Sequence, residues 1–461
     1  MPRPSTVHRC AECGHEVAKW LGRCPECQAW GALELVAPAA PNGPRRVAAG
    51  APATPARRIG DVPLDSASAR PTGVPELDRV LGGGLVPGVV ILLAGEPGAG
   101  KSTLLLEVAA QVARSAGPVL YATGEESAGQ VRLRAERTSA VHNELFLAAE
   151  SDLAAIISHI DTVKPTLLVV DSVQTVARSD VEGSPGGVTQ VRAVTVALTS
   201  LAKERGLPVV LVGHVTKDGS VAGPRVLEHL VDVVLQFEGD RHSTLRMVRG
   251  IKNRFGPADE VGCFELRDSG IVGVADPSGL FMSSGEGPAG RVPVAGTAIT
   301  VAMEGKRPLM AEVQALVAGT GIPSPRRAVS GLDSARVSMV LAVLSRRAGV
   351  VLHDAEVYTA TVGGMRMTEP AADLAIALAV ASAKSDQPLP AGLVVLGELG
   401  LTGEIRRVAG LERRISEAAR LGFTTALVPA GSNVSTNRTG RIRIVEATNL
   451  GEALPLLNRS R

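Results

Sequence analysis

The stretch Gly95-Glu-Pro-Gly-Ala-Gly-Lys-Ser102 sets glycines, a lysine and a hydroxyl in the order G-x-x-x-x-G-K-[ST]. Glycines let backbone N–H groups converge on phosphate oxygens without Cβ clashes. Lys101 can then neutralise β- and γ-phosphates, and the Ser102 hydroxyl can hold Mg²⁺. The N-terminus of a following helix adds a favourable dipole. Gly95, Glu96, Pro97, Gly98, Ala99, Gly100, Lys101, Ser102 and Thr103 are therefore expected to bind a nucleoside triphosphate. The competing reading is a chance Gly-rich turn. A strand before, a helix after and the complete spacing argue against it.

Hydrolysis needs more than a cradle. Leu167-Leu-Val-Val-Asp171 is an aliphatic run ending in a carboxylate, which places Asp171 where it can hold a water of the Mg²⁺. Tyr121-Ala-Thr-Gly-Glu-Glu126 ends a neighbouring run with two carboxylates, one of which can orient or deprotonate water. Glu125 lies nearer the strand end and is the expected catalytic group; Glu126 instead caps the next helix, and one residue of register separates the two assignments. His214 closes Val209–Gly213. It either touches the γ-phosphate as a sensor or is a core histidine satisfied by backbone.

Cys10-x-x-Cys13 and Cys24-x-x-Cys27 stand ten residues apart. Two thiolate pairs on tight turns make a four-sulfur tetrahedral site for a structural Zn²⁺. Trp20 and Trp30 flank it, and packing this small domain's core is their expected job, with contact to a partner as the alternative. Cys263, alone in a strand, reads as a small buried hydrophobe. Lys252-Asn-Arg-Phe-Gly256 puts Lys252 and Arg254 on one side of an extended segment. Its spacing alone favours a solvated basic turn over contact with a neighbouring subunit's phosphates or a nucleic-acid backbone.

These groups must be carried by alternating elements. Short aliphatic runs at 89–94, 119–122, 167–170 and 209–212 alternate with helical spacing at 101–114, 153–163 and 191–204. That rhythm implies a largely parallel sheet with ligands at the strand C-terminal ends. From 232 the pattern changes to adjacent strands, 232–237, 244–249 and 260–266, an antiparallel extension. A second α/β unit is expected after 291. Its expected strands are 297–303, 311–316, 356–362, 393–396 and 425–428, and its helices 335–347, 371–383 and 411–421. Residues 36–60 carry five Pro, eight Ala and four Arg with no acid, and read as a flexible linker.

The 461 residues suggest about three domains. Aromatics are only 2%, so the core must be aliphatic, and nucleic-acid binding is expected to rely on charge and backbone more than on base stacking. A net charge of +2 argues against a uniformly basic surface but not against a basic channel. No apolar run spans a bilayer and Met1–Arg9 has no apolar signal region, so a cytoplasmic protein without membrane contact is expected.

The four-cysteine finger, the phosphate loop, Lys252–Gly256 and the second α/β unit together resemble the bacterial RadA (Sms) family. So do Gly213-His-Val-Thr-Lys-Asp-Gly219 and Ala222-Gly-Pro-Arg-Val-Leu-Glu-His229. The likeness covers essentially the whole chain. It implies an α/β fold with a RecA-like P-loop ATPase core, a small N-terminal zinc finger and a C-terminal Lon-protease-like α/β domain. The expected domains are residues 1–34 (finger), 35–60 (linker), 61–285 (ATPase) and 286–461 (Lon-like).

The same likeness implies a DNA-dependent ATPase of homologous recombination and repair. It would assemble as a hexameric ring, bind single-stranded DNA and branched intermediates, and promote branch migration alongside RecA recombinase. Lys252, Asn253, Arg254, Phe255 and Gly256 would couple ATP to DNA binding, which raises the contact in trans above the solvated turn. Segments 177–190 and 215–225, the latter with Lys217 and Arg225, stand where that fold places DNA loops. In the Lon-like part, Glu369-Pro-Ala-Ala-Asp373 puts Ala371 at the nucleophile position, and Ala409-Gly-Leu is followed by Glu412 rather than lysine. Without hydroxyl and amine a serine–lysine peptidase cannot run. The domain then reads as a scaffold; the pairs Arg326-Arg327, Arg346-Arg347, Arg406-Arg407 and Arg413-Arg414 suit a phosphate track, although such pairs are more often simply solvated. The alternatives are an ATP-dependent peptidase, disfavoured by Ala371 and Glu412, and a signalling ATPase that autophosphorylates, disfavoured by the zinc finger and Lys252–Gly256.

Overall fold

The computed structural model describes residues 7–36, 56, 58–61, 68–214, 227–239, 244–282, 292–319, 325–434 and 442–455. Residues 1–63 and 64–461 form two separate compact units. In the first, β1 (Val7–Cys10) pairs antiparallel with β2 (Glu16–Val17) and β3 (Leu33–Val36). Its core is Cys10, Cys24 and Leu33, with Val17 and Ala32 packed against them. So small a core needs a metal to hold it.

The second unit begins with a nine-stranded sheet ordered β12-β11-β10-β9-β4-β8-β7-β5-β6. Its parallel part is β4 (Val90–Gly95), β5 (Val119–Thr123), β6 (Leu145–Ala149), β7 (Leu167–Asp171), β8 (Val209–His214) and β9 (Val233–Gly239). β10 (Leu245–Asn253), β11 (Val261–Arg267) and β12 (Gly270–Gly273) extend it antiparallel. Aliphatic runs buried on both faces are what a helix-covered parallel sheet requires. Ile91 and Leu93 of β4 pack with Leu104, Leu105 and Val108 of α2 (Lys101–Ser115). Val90 and Leu92 face the other way, toward Ile156 and Ile160 of α4 (Leu153–Val163) and Val194 and Leu198 of α5 (Val188–Arg205).

Several elements go beyond the sequence expectation. α1 (Pro75–Leu81), β6 and β12 have no counterpart in it, and α3 (Ala128–Arg137) is expected only as a helix after Glu126, without bounds. α3 starts at a Ser127–Gln130 capping box, so Ser127 is the N-cap and Glu126 is not; Glu126 forms an ion pair with Arg134.

The C-terminal part holds a sheet ordered β13-β14-β16-β15, from β13 (Thr297–Glu304), β14 (Arg307–Gly319), β15 (Arg327–Ser330) and β16 (Ala355–Thr361). β14 runs to Gly319, well past the expected 311–316. Helices Ser334–Arg347 and Asp373–Ser385 share its core. A three-stranded parallel sheet, β17 (Leu393–Val395), β20 (Thr425–Pro429) and β21 (Arg443–Ala447), lies beyond, with the pair β18 (Glu398–Leu399) and β19 (Ile405–Arg406). The β13–β14 turn seats on the ATPase sheet. Arg307, 6% exposed, pairs with Glu76 of α1, 3% exposed, and donates to the carbonyls of Val261, Val274 and Ala275. Beside it Arg249 pairs with Glu304 at 2.6 Å.

Candidate nucleotide site and metal centre

Gly95, Thr123, Asp171 and His214 close β4, β5, β7 and β8, so one sheet edge gathers the expected residues. The loop between β4 and α2 turns on Gly98 and Gly100, at φ +74° and +113°, a backbone region that L side chains rarely adopt. At Gly95 the limit is space: a Cβ would lie 2.5 Å from the Phe237 carbonyl oxygen. The buried Lys101 donates from Nζ to the carbonyls of Gly95 (3.0 Å) and Glu96 (2.8 Å). Burial lowers its pKa, while the charges of Asp171 and Glu125 oppose that. Ser102 and Thr103 lie in the first turn of α2. Arg246 on β10, which sequence reasoning missed, donates from Nε to the Ala99 carbonyl at 2.9 Å and props the loop from outside. An arginine in an antiparallel strand carries no sequence signal for that task.

Three polar side chains converge at the same sheet edge. Ligand atoms of Glu125, Asp171 and His214 all lie within 4.8 Å of one another. Glu125 Oε1 accepts from the Ser172 hydroxyl and contacts His214 Nε2 at 2.9 Å. Hydrogen bonding to His214 is the chief cause that holds the Glu125 carboxyl down at about 2, against the opposing effect of burial. A group so acidic is a poor proton acceptor at neutral pH, but it can fix a water by accepting its hydrogen bond. The Tyr121 hydroxyl donates to Asp171 Oδ2 at 2.6 Å, and Asp171 Oδ1 is buried without a partner among the described residues. Such an orphaned carboxylate oxygen fits a hydrated divalent cation shared with the Ser102 hydroxyl. The His214 Nδ1 is likewise buried without a partner among the described residues.

The Lys252–Gly256 segment is not a free basic turn. Lys252 Nζ donates to the carbonyls of Glu228 (2.6 Å) and Val231 (2.9 Å). Arg254, half exposed, reaches Asp232 at 3.3 Å. The Asn253 side-chain amide donates to the Val80 and Leu81 carbonyls, which end α1, and accepts from the Phe255 N–H. Gly256 lies against Gly82, where a Cβ would come within 3.2 Å of the Gly82 Cα.

In the first unit the Sγ atoms of Cys10, Cys13, Cys24 and Cys27 lie within 4.8 Å of one another, with Cys10–Cys27 at 3.6 Å and Cys13–Cys24 at 3.7 Å. Four convergent thiols, joined by no His, Asp or Glu among the described residues, fit Zn²⁺. Trp20 and Trp30 are 59% and 78% exposed, so neither packs the core as expected; the cysteines and Leu33 fill it.

Elsewhere the expected contacts divide. In segment 177–190, Gln190 is buried and donates to the Arg178 carbonyl at 3.1 Å, while Arg178 pairs with Asp180. Lys217 and Arg225 lie outside the described residues. Arg414 does not belong to a phosphate track. It is 2% exposed and committed to Glu369 (2.6 Å) and the Val301 and Ala409 carbonyls. Cys263 is fully buried, and burial lifts its thiol to about 11. Ala371 is buried in a short turn at Pro370–Ala372.

Comparison with known proteins follows the same three regions. Residues 8–34 match the rubredoxin metal binding domain, 53–220 an AAA domain, and 363–432 the subunit ChlI of Mg-chelatase. The fold class is the expected one: a P-loop ATPase core with an N-terminal zinc ribbon and a Lon-like C-terminal region. A protein of Mycolicibacterium smegmatis named DNA repair protein RadA is 56% identical over 97% of this chain and 96% of its own. Its namesake in Mycobacterium tuberculosis is 57% identical over 93% and 89%. The one in Streptococcus pyogenes is 45% identical over 98% and 99%. A solved KaiC-like protein of Pyrococcus horikoshii is 21% identical, covering 45% of this chain and 99% of its own, with a TM-score of 0.38.

Proposed function

The chain belongs to the DNA repair protein RadA family and is a DNA repair ATPase; from that premise we propose that it is a hexameric ring motor on single-stranded DNA. It drives branch migration of recombination intermediates alongside RecA, in the cytoplasm. The observation that carries the ATPase part is the gathering of Lys101, Glu125, Asp171 and His214 at one sheet edge. Full-length kinship carries the DNA part.

In this reading residues 95–103 bind ATP, and the Lys101 ammonium moves from its own loop carbonyls to the phosphates. Mg²⁺ held by Ser102 and Asp171 would supply charge neutralisation to the leaving phosphate oxygens. Tyr121 keeps Asp171 Oδ2 occupied, so that Oδ1 faces the cation. Glu125 fixes the attacking water, and His214, on the same carboxylate oxygen, senses loss of the γ-phosphate at the end of β8. Lys252 and Arg254 act across the subunit boundary. Their own-chain contacts in the monomer would then be exchanged for a neighbour's phosphates on assembly. Zn²⁺ on Cys10, Cys13, Cys24 and Cys27 is structural. Ala371 offers no nucleophile, which disfavours a peptidase.

Lys252→Ala and Arg254→Ala test the coupling. Both variants should bind ATP yet lose branch migration in a strand-extension assay. Wild-type extension by both would refute the assignment in trans.

A further inference from the structure

The chain has two tryptophans, and both stand on the zinc ribbon with their rings in solvent. Exposing an indole forgoes much of the burial free energy that aromatic side chains normally supply. The ribbon's core is complete without them. Their placement is also joint. The Gly31 N–H donates to the Gly22 carbonyl at 3.0 Å, and Arg23 bridges Trp30 in antiparallel register. A Cβ at Gly22 would lie 3.7 Å from Trp30 Cζ3 and 3.9 Å from Trp20 Cη2, so both rings border the space above this one residue.

The neighbours are cationic and polar. The Arg23 guanidinium lies 5.9 Å from the Trp30 ring centroid and is held there by Gln28, at 2.7 Å from its carbonyl and 2.8 Å from its side-chain oxygen. Lys19, also exposed, precedes Trp20. The exposed apolar residues near the indoles are Leu21 and the small Ala18 and Pro25, less than the broad apolar face a protein hot spot would need; Lys19, Arg23, Glu26 and Gln28 are exposed among them. Flat rings beside cations are the combination that holds unpaired bases and their phosphates. The rest of the chain is poor in such rings: its other exposed aromatics are Phe146 and Phe255.

We propose that Trp20 and Trp30 form a stacking platform for the unpaired bases of single-stranded DNA, with Arg23 and Lys19 facing the phosphates. The ribbon is thereby a second DNA contact, separate from the ATPase loops. This rests on the reading that the chain binds single-stranded DNA, and it reverses the sequence expectation that base stacking plays little part.

Because both tryptophans are on the ribbon, intrinsic tryptophan emission of the intact protein reports this site alone. The zinc-loaded full chain is titrated with oligothymidylate and, separately, with an abasic strand of equal length, while the anisotropy of a label on the strand reports binding. Stacking predicts that both strands bind but only oligothymidylate quenches the emission. Trp20→Ala and Trp30→Ala should each weaken oligothymidylate binding by about fivefold or more, leaving abasic binding unchanged. Gly22→Leu, which keeps both rings and meets them at ordinary contact distance, should abolish the quench; measured zinc content shows that each variant's ribbon is intact.

Oligothymidylate binding without quenching would overturn the platform and leave the DNA reading standing. So would wild-type affinity in all three zinc-loaded variants, which would mark the indoles as a protein surface. Absence of binding by either strand would overturn the DNA reading itself.

Discussion

Glu125 and His214 share one contact that sets the charge of the proposed water-holding group. The 2.9 Å approach of His214 Nε2 is the chief cause that keeps the carboxyl at about 2, below the ordinary carboxylate value near 4.3. A depressed folded-state pKa stabilises the native protein above the ordinary value, and that contribution fades as pH falls toward about 2. Two outcomes follow for activity. In the wild type, loss of turnover between about pH 4 and 6 does not come from Glu125, which remains ionised there. In His214→Ala the carboxyl rises toward its ordinary value, so the acid limb of kcat moves to higher pH. Coincident acid limbs in a pH–rate comparison would contradict the pairing. The aspartate and histidine gathered at this edge were legible in the sequence, because each closes a short aliphatic run; Glu125 lies two residues past the end of β5, and the sequence left its register against Glu126 open. What was not legible is how they are held: Tyr121 on Asp171, Ser172 on Glu125 and Arg246 under the loop are tertiary contacts between strands far apart in sequence.

At the scale of elements, the parallel strands announced themselves by continuous aliphatic runs with small or polar ends. The missed pieces lacked such a signal. α1 is seven residues long, begins at Pro75 without a side-chain cap and ends in Gly82-Gly-Gly84. β6 is an edge strand, and α3 buries only Val131 and Ala135. The tryptophans misled because an aromatic in a small domain ordinarily fills its core. Yet the short α1 joins two parts of the molecule. Its start carries Glu76, paired with Arg307 of the β13–β14 turn, and its end is held by Asn253 of the Lys252–Gly256 segment. Removing one partner of a buried ion pair strands the other charge, at a cost of about 3–5 kcal/mol. Arg307→Met should therefore lower denaturant stability by about that much, and adding Glu76→Leu should recover a large part of it. Equal stability of Arg307→Met and wild type in urea unfolding would show that the seat is not held by this pair.

For the whole molecule, the ribbon is its own compact unit and the ATPase sheet and Lon-like region make up the other. The Lon-like region has a buried alanine at the nucleophile position and internal pairs that occupy Arg414 and Arg406, so its proposed part is architectural. Among the described residues no helix is long and apolar enough to cross a membrane. At this scale the proposed function is the tying of ATP turnover at residues 95–103 to single-stranded DNA. Its most direct test is steady-state ATP hydrolysis by the full-length protein at low salt, with and without single-stranded DNA, beside Lys101→Ala. Hydrolysis should rise with DNA, the rise should weaken as salt increases, and Lys101→Ala should lose about a hundredfold or more. Wild-type turnover in Lys101→Ala, or hydrolysis indifferent to DNA at every salt concentration, would contradict it.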